Sequence, residues 1–209
     1  MSPNATLSLT LVVSYLLGSM PFGLWIAKGW KGIDVRTVGS GNIGSTNVWR
    51  TCGPAVGSVV FALDVLKGFL PPLLVSHAYA SYWAILAAFL AILGHNFSIW
   101  LKFKGGKGIA TSLGALLGVS PLVGLSAFGL FGVTLLLFRV VSLGSLVGAV
   151  SLPVLMPLFY PGDRARLLFG ALACVLAVYK HRVNIQRLFK GTEPKVIFPW
   201  NRKKNESQA

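Results

Sequence analysis

Acidic residues are scarce in this chain. Of its 209 residues only five are Asp or Glu, whereas 19 are Lys or Arg. Charged residues make up 11% of the sequence, well below the roughly one quarter that soluble domains carry. This scarcity excludes an ordinary soluble domain and disfavours any site that needs several carboxylates, such as a calcium site.

Cysteine and histidine are sparse as well. Cys52 and Cys174 lie far apart, and the histidines, His77, His95 and His181, are scattered. No disulfide framework and no metal-ligand spacing is present, so we expect neither a metal nor a cofactor. No acidic residue accompanies His95 or His181 in the sequence, as a Ser-His-Asp hydrolase would need. The His-x4-Asp pattern of acyl-CoA-dependent acyltransferases is absent from all three histidines.

Long apolar runs are abundant instead. Hydrophobic residues make up 54% of the sequence, and its mean hydropathy is +0.71. A membrane-spanning helix needs about 20 apolar residues. Runs of suitable length occupy residues 7–27, 54–75, 79–101, 109–138, 143–160 and 166–179. The sequence therefore predicts an all-α integral membrane protein, with residues 1–200 as a single membrane domain and residues 201–209 as a disordered tail.

The distribution of positive charge decides how many times the chain crosses the membrane. The run 109–138 is too long for one span, and Ser120-Pro121 provides a break inside it. With that break, the basic loops 28–53 and 102–108, Arg139 and the basic C-terminal tail all face one side, and only Arg164 and Arg166 face the other. The positive-inside rule then predicts seven spans, with the N-terminus outside and the C-terminus in the cytoplasm. The helix that begins at residue 109 would be short.

Three polar motifs fall on the cytoplasmic side of this topology. The first, GSGNIGSTNVWR (39–50), contains a GxGxxG pattern but lacks the strand–helix–strand setting of a dinucleotide site. The second, GHNFSIWLKFKGGKGIAT (94–111), places glycines and lysines before a helix start, as anion sites do. The third begins HRVNIQRL (181–188) and, if helical, places His181, Asn184 and Leu188 on one face. Together they predict a cationic cavity for phosphate-bearing substrates.

Two features of the spans have structural explanations. Asp64 and Lys67, three residues apart in the second run, are expected to form an ion pair within one helix. The small-residue pairs Gly114/Gly118 and Gly144/Gly148 are expected to allow close packing between helices.

The three motifs resemble those of the bacterial acyl-phosphate:glycerol-3-phosphate acyltransferase family, commonly called PlsY, and the resemblance covers the whole chain. It implies transfer of a fatty acyl group from acyl phosphate to the 1-hydroxyl of sn-glycerol 3-phosphate. The products would be lysophosphatidic acid and inorganic phosphate, in the first step of bacterial phospholipid synthesis. The resemblance further implies a location in the bacterial cytoplasmic (inner) membrane with the active site at the cytoplasmic face, and no metal or cofactor. The expected partners are the two substrates and membrane lipid, without nucleic acid. We expect a monomer that could be coupled to the soluble enzyme making acyl phosphate.

The resemblance also assigns roles to individual residues. Those expected to be essential for activity are Ser40, Arg50, His181 and Asn184. Those expected to bind substrate are Asn42, Thr46, Lys104, Gly105, Gly106, Lys107, Gly108 and Ser142. Glu193 is expected to hold the C-terminal segment against the cationic cluster.

The sequence leaves the mechanism partly open. Because no acid–base dyad is visible, we expect the substrate hydroxyl to attack the acyl carbonyl directly, with a substrate phosphate accepting the proton. Ser40 as a covalent nucleophile is the alternative. A phosphate or organic-anion transporter would share the cationic cavity, but transporters usually show internal repeats and a site near the membrane midplane. A non-catalytic lipid-binding subunit, the third alternative, would not need this set of polar residues.

Overall fold

The computed structural model describes residues 3–196, with side chains from residue 4. Within that range the chain is helical and contains no strand. The α-helices are α1 Pro3–Ser19, α2 Phe22–Lys31, α3 Ser45–Cys52, α4 Pro54–Ser76, α5 Ser81–Asn96, α6 Ile109–Val119, α7 Pro121–Phe138, α8 Val141–Phe159, α9 Arg164–Lys180 and α10 Arg182–Phe189, and a 3-10 turn spans Ile99–Leu101. The all-α prediction is confirmed for these residues. The predicted tail, 201–209, lies outside them.

Several of these helices are long and apolar enough to cross a membrane. Four qualify by themselves: α4, α5 with the following 3-10 turn, α7 and α8. The number rises to six when the bent pairs α1/α2 and α9/α10 are each taken as one span, and α6 is a shorter apolar helix of 11 residues. Large apolar side chains are exposed along α7 and α8, as expected for surfaces that face lipid. The protein is an integral membrane protein.

The first predicted span, residues 7–27, is interrupted in the structure. Helix α1 ends at Ser19, and α2 starts at Phe22 with its axis turned by 42°. Pro21 lies in the break, where its missing N–H and its restriction on the preceding residue disfavour a continuous helix. The carbonyl of Met20, in the same break, accepts a hydrogen bond of 2.7 Å from Lys67 Nζ of α4. The side chain of Lys67 thus ties the break to the neighbouring helix.

The polar segment 28–53 is more ordered than the sequence indicated. Helix α2 continues to Lys31, and α3 occupies Ser45–Cys52. The predicted loop, 28–53, is therefore helical at both of its ends. Helix α3 packs closely on α4, because a Cβ at Gly57 would lie 2.7 Å from the Cα of Trp49. The glycine permits this contact, which fixes the first motif against a membrane-spanning helix.

The break predicted at Ser120-Pro121 is confirmed, since α6 ends at Val119 and α7 begins at Pro121. Close packing at small residues is also confirmed. A Cβ at Gly114 would lie 1.9 Å from the carbonyl oxygen of Val65, and a Cβ at Gly144 would lie 2.9 Å from that of Phe131. Helix α6 is therefore held tightly against α4. Its first residues lie directly after residues 102–108 of the second motif, called the glycine–lysine loop below.

Candidate active site

A buried amide organises the first motif. Asn47 is 2% exposed, and its Nδ2 donates hydrogen bonds to the carbonyls of Val35 (2.9 Å), Val38 (3.2 Å) and Asn42 (2.9 Å). Its Oδ1 accepts a bond of 2.8 Å from the backbone N–H of Ser40. One side chain thereby closes the loop that precedes α3. Asn47 lies inside the first motif but is not among the residues predicted for the site, although an amide offers both donors and an acceptor for such a closure.

The predicted residues of this motif lie around the closed loop. Ser40, Thr46 and Arg50 are exposed, and Asn42 is half-buried. The side chain of Asn42 is used locally, because its Oδ1 accepts a hydrogen bond of 2.8 Å from the N–H of Gly44. Ser40 and Thr46 make no side-chain hydrogen bond within residues 3–196, so both hydroxyls are available to a ligand.

The glycines of the second motif lie on the C-terminal end of α5. The N–H of Gly106 donates to the carbonyl of His95 at 3.0 Å. A Cβ at Gly105 would lie 2.0 Å from that same oxygen, and a Cβ at Gly108 would lie 2.5 Å from Asn96 Oδ1. Gly108 also has a φ of +79°, a conformation that favours glycine. The loop thus needs glycine because it rests directly on α5.

A chain of hydrogen bonds joins the second and third motifs. Lys107 Nζ donates to Asn184 Oδ1 at 2.6 Å, and Asn184 Nδ2 donates to Glu193 Oε1 at 2.6 Å. The same carboxylate oxygen accepts from Ser142 Oγ at 2.7 Å. Side chains from the loop, from α10, from the C-terminal segment and from the start of α8 therefore meet at one place.

The environment of Lys107 lowers the pKa of its ammonium group to about 8. Burial is the main cause, because it penalises the charged form. The nearby carboxylate of Glu193 opposes this effect, whereas the positive charges of Arg187 and Arg50 add to it. A site in which one carboxylate faces several cations favours an anionic ligand.

Two further predicted residues border this cluster. His181 lies at the 62° bend between α9 and α10, is 2% exposed, and has its Nδ1 2.8 Å from the carbonyl of Ala177. A carbonyl can only accept, so Nδ1 carries the proton and Nε2 remains as an acceptor in the neutral ring. Arg50 reaches the same region through the C-terminal segment, where its Nη2 lies 3.5 Å from the carbonyl of Pro194.

The structure does not bring all predicted site residues into direct contact. Lys107, Asn184 and Ser142 are joined through Glu193. Within residues 3–196, no hydrogen bond or ion pair links Ser40, Asn42, Thr46 or Lys104 to this cluster, and Lys104 is exposed.

An apolar cavity lies beside the cluster. It lies between α6, α7, α8 and α9, is partly open to the surroundings, and has a volume of about 80 Å³. Its lining includes Ile109, which follows the glycine–lysine loop, and Ala177, whose carbonyl bonds His181. Gly148 and Ala149 of α8 line it farther along the helix. A polar cluster therefore adjoins a partly open, apolar space between helices.

The structure corrects one expectation about acids and histidines. Asp64 of α4 forms the predicted ion pair with Lys67, at 2.7 Å. The same Asp64 oxygen lies 3.7 Å from Nδ1 of His95 on α5. An acid does accompany His95 in space, although none does in the sequence, because the pair lies on two different helices.

Comparisons with known proteins agree with this geometry. Residues 8–191 match the family model for glycerol-3-phosphate acyltransferase. The chain belongs to this family. It is 48% identical to the glycerol-3-phosphate acyltransferase of Desulforamulus reducens, over 92% of this chain and 96% of that one. With the enzyme of Synechococcus elongatus the identity is 44%, over 88% and 92% of the two chains. The protein is thus an acyltransferase.

Solved structures of the family superpose on most of the chain. A crystal structure of PlsY, an integral membrane glycerol 3-phosphate acyltransferase, in its glycerol 3-phosphate form has a TM-score of 0.88 and 38% identity. The lysophosphatidic acid form of PlsY has a TM-score of 0.84 and 37% identity. Each match covers 92% of this chain and 96% of the other. The family resemblance stated from the three motifs is confirmed.

Proposed function

We propose that this protein transfers a fatty acyl group from acyl phosphate to the 1-hydroxyl of sn-glycerol 3-phosphate. The products are lysophosphatidic acid and inorganic phosphate, in the first step of bacterial phospholipid synthesis. The observation that carries the proposal is the hydrogen-bonded cluster of Lys107, Asn184, Glu193 and Ser142 beside an apolar cavity. Solved relatives in a glycerol 3-phosphate form and a lysophosphatidic acid form support the acceptor and the product.

The cationic groups bind the phosphates in this proposal. Lys107 and Arg50 supply charge, and the backbone of Gly105 and Gly108 supplies N–H groups at the start of α6, where the helix dipole favours an anion. Gly106, whose N–H is bonded to the carbonyl of His95, holds the loop against α5 beside the phosphate. The hydroxyl and amide side chains nearby complete the substrate contacts, together with one exposed lysine: Ser40, Asn42, Thr46, Ser142 and Lys104. Ser40, Arg50, His181 and Asn184 are the residues we assign to catalysis.

The reaction proceeds by direct attack. The 1-hydroxyl oxygen of glycerol 3-phosphate forms a bond to the acyl carbonyl carbon, and the bond from that carbon to the phosphate oxygen breaks with its electron pair on phosphate. The hydroxyl proton passes to a phosphate oxygen of a substrate. Lys107 and Arg50 stabilise the charge that develops on the leaving phosphate, as preorganised cations do. His181 and Asn184 orient the reacting groups.

The apolar cavity holds the acyl chain. Its lining by α6, α7, α8 and α9 begins next to the loop that binds phosphate and continues along α8. This arrangement places an acyl carbonyl at the polar end and the chain among apolar side chains. Burial of each methylene contributes about 0.8 kcal/mol, so the length of the cavity sets a preference among acyl donors.

The topology that fits this function has seven spans. The six spans found when each bent pair counts once, together with α6, give that number. We place the N-terminus outside and the C-terminus and active site at the cytoplasmic face of the bacterial inner membrane. Residues 1–200 act as a single domain and as a monomer, coupled to the soluble enzyme that makes acyl phosphate.

The deciding experiment is an assay of the purified protein with glycerol 3-phosphate and palmitoyl phosphate or palmitoyl-CoA. We expect lysophosphatidic acid and free phosphate in equal amounts with palmitoyl phosphate as the donor, and no product with palmitoyl-CoA. Lys107→Ala and Arg50→Ala should lose at least about 100-fold in kcat/KM, in the range found for groups that stabilise developing charge. Lys31→Ala, which removes an exposed lysine at the end of α2, is the matched control and should retain activity.

Other outcomes would identify a different function. Product from palmitoyl-CoA alone would overturn the donor. A trapped acyl ester on Ser40 after rapid quenching would overturn direct attack. Transport of phosphate or glycerol 3-phosphate into sealed liposomes, without product, would show that the protein is a transporter.

A further inference from the structure

A group of charged and polar side chains is buried below the glycine–lysine loop and is not used by the proposed reaction. Asp64, Lys67 and His95 are each 5% exposed or less. Asp64 Oδ1 lies 2.7 Å from Lys67 Nζ and 3.7 Å from His95 Nδ1. Lys67 also donates to the carbonyl of Met20. Buried charges at this depth in a membrane protein are costly and require a specific reason.

The imidazole of His95 lies directly against the loop. A Cβ at Gly106 would lie 2.2 Å from His95 Nε2, and the N–H of Gly106 donates to the carbonyl of His95 at 3.0 Å. Gly106 does not have a positive φ, so its own backbone would tolerate a side chain. The ring of His95 is what excludes one. The conformation of the loop at Gly106 is therefore determined by the position of this ring.

The end of α5 that carries His95 is fixed from two other sides. Lys180 Nζ of α9 donates to the carbonyl of Asn96 at 2.8 Å, and Tyr15 Oη of α1 donates to the carbonyl of Phe97 at 2.7 Å. Carbonyls at a helix C-terminus lack partners within the helix, and these two side chains supply them. The support below the loop is thus joined to α1, α4 and α9.

His95 does not reach the substrate. Its side chain is 3% exposed, and Gly106 covers Nε2 from the side of the active site. Its other ring nitrogen points to Asp64 within the helix bundle. An acid and a histidine in proximity can suggest a general base, but this pair has no path to the hydroxyl of a bound substrate.

We propose that Asp64, Lys67 and His95 form a positioning unit that holds the 105–108 loop in the conformation that binds the phosphate of glycerol 3-phosphate. The inference rests on the proposed function. Asp64 and Lys67 fix each other through their ion pair, this pair lies against the ring of His95, and His95 supports Gly106. Because backbone N–H groups cannot be re-aimed independently of the loop, a shift of about 1 Å at Gly106 would reduce binding strongly.

The first test is a double-substitution cycle measured by steady-state kinetics. Gly106→Ala should raise KM for glycerol 3-phosphate by about tenfold or more, because its new methyl group meets Nε2 of His95. His95→Ala should also raise this KM, since the loop loses its support. In the Gly106→Ala/His95→Ala variant the new methyl group occupies space left by the ring of His95. The rise in KM for glycerol 3-phosphate should therefore be smaller than the product of the rises in the two single variants. KM for palmitoyl phosphate should stay close to the wild-type value throughout.

The second test separates positioning from loss of folding. Asp64→Asn alone leaves Lys67 unpaired in the membrane and can prevent folding, so the Asp64→Asn/Lys67→Met variant, which removes both charges, is measured as well. We expect monodisperse protein with a raised KM for glycerol 3-phosphate. His77→Gln, at an exposed histidine beyond the C-terminal end of α4, is the matched control for His95→Gln and should leave both KM values unchanged. His95→Gln retains a side chain that fills part of the space beside Gly106 and should be less impaired than His95→Ala.

The proposal is overturned if His95→Ala is folded and active with an unchanged KM for glycerol 3-phosphate, or if the two effects in the cycle multiply. A fall in thermal stability with KM unchanged would show a structural role only and would also overturn it. Absence of product with the wild-type protein would contradict the proposed function itself, and this result is distinct from any effect of the variants.

Discussion

At the scale of single residues, the glycines of the 105–108 loop have two reasons to be glycine. Sequence alone suggested an anion-binding backbone, and the structure adds the close approach of Gly105, Gly106 and Gly108 to His95 and Asn96. The role of Asn47 could not be predicted from the sequence either. Its hydrogen bonds join residues up to 12 positions away, and nothing in the pattern distinguishes that amide from its neighbour Asn42. Side-chain roles that depend on tertiary contacts were therefore not predictable.

Lys107 gives a prediction about pH. Its ammonium has a pKa of about 8 because of burial, so the uncharged form dominates as pH rises above that value. Phosphate binding needs the charged form. As far as Lys107 is concerned, KM for glycerol 3-phosphate should therefore be constant below pH 8 and should rise about tenfold per pH unit above it. In Lys107→Arg, whose guanidinium stays protonated, the rise should vanish, whereas Lys107→Met should have a high KM at all pH values. Steady-state kinetics between pH 6 and pH 10, in roughly half-unit steps, would measure this. A level wild-type profile would contradict the assignment of Lys107.

At the scale of helices, proline positions were partly informative. The break at Ser120-Pro121 could be predicted because the apolar run is longer than one span requires. The break at Pro21 was missed because residues 7–27 have the length of a single span. Helix α3 was missed because its sequence is polar, and it is stabilised by packing on α4 rather than by an apolar pattern of its own. A helix at the third motif was considered only as a condition for placing its polar residues on one face, and α10 is present from Arg182 to Phe189.

The cavity between α6 and α9 gives a prediction about chain length. Ala149 of α8 lines it, so Ala149→Leu should fill part of the space and shorten the chain that fits. Loss of two methylene contacts would cost about 1.6 kcal/mol, or roughly a 15-fold rise in KM for palmitoyl phosphate, with a much smaller effect on lauroyl phosphate.

The adjacent Val150 is a suitable control, because its side chain is 55% exposed on the outer surface of the same helix. Val150→Leu should leave the preference for both donors unchanged. Equal effects of Ala149→Leu on the two donors would show that the chain lies elsewhere.

At the scale of the whole molecule, the basic residues predict the orientation. We place Lys102 and Gly162 in loops on opposite sides of the membrane. Each is replaced singly by Cys in a background in which Cys52 and Cys174 are replaced by Ser. A membrane-impermeant maleimide should label Gly162→Cys in right-side-out vesicles and Lys102→Cys only in inverted ones. Labelling of both from the same side would exclude the seven-span topology.

The scarcity of acids leads to a prediction about metals. Within residues 3–196 no group of three or more His, Cys, Asp or Glu side chains is close enough to hold a metal ion, and the protein's own cations can carry the phosphate charge. Prolonged dialysis against EDTA should leave kcat unchanged, and added Mg²⁺ should not raise it. Loss of activity on chelation, restored by a divalent ion, would show that the site is incomplete without metal.

The distances along the chain explain what could be predicted of the whole. The three motifs could be placed on one side of the membrane from the distribution of charge alone. Most of the residues predicted for the site belong to these motifs. The hydrogen bond between Lys107 and Asn184 joins residues 77 positions apart, and the partnership of Ser142 with Glu193 spans 51. No local pattern specifies such pairs, since they depend on how α8, α9 and α10 pack together.

The position of Glu193 has a consequence for biosynthesis of the protein. Its carboxylate joins Ser142 to Asn184, and the adjacent Pro194 carbonyl meets Arg50. A ribosome adds residues in order, so α3, the phosphate-binding loop and the start of α8 are synthesised well before Glu193 and Pro194. These contacts therefore form late, and they join the C-terminal segment to parts of the site that were made much earlier.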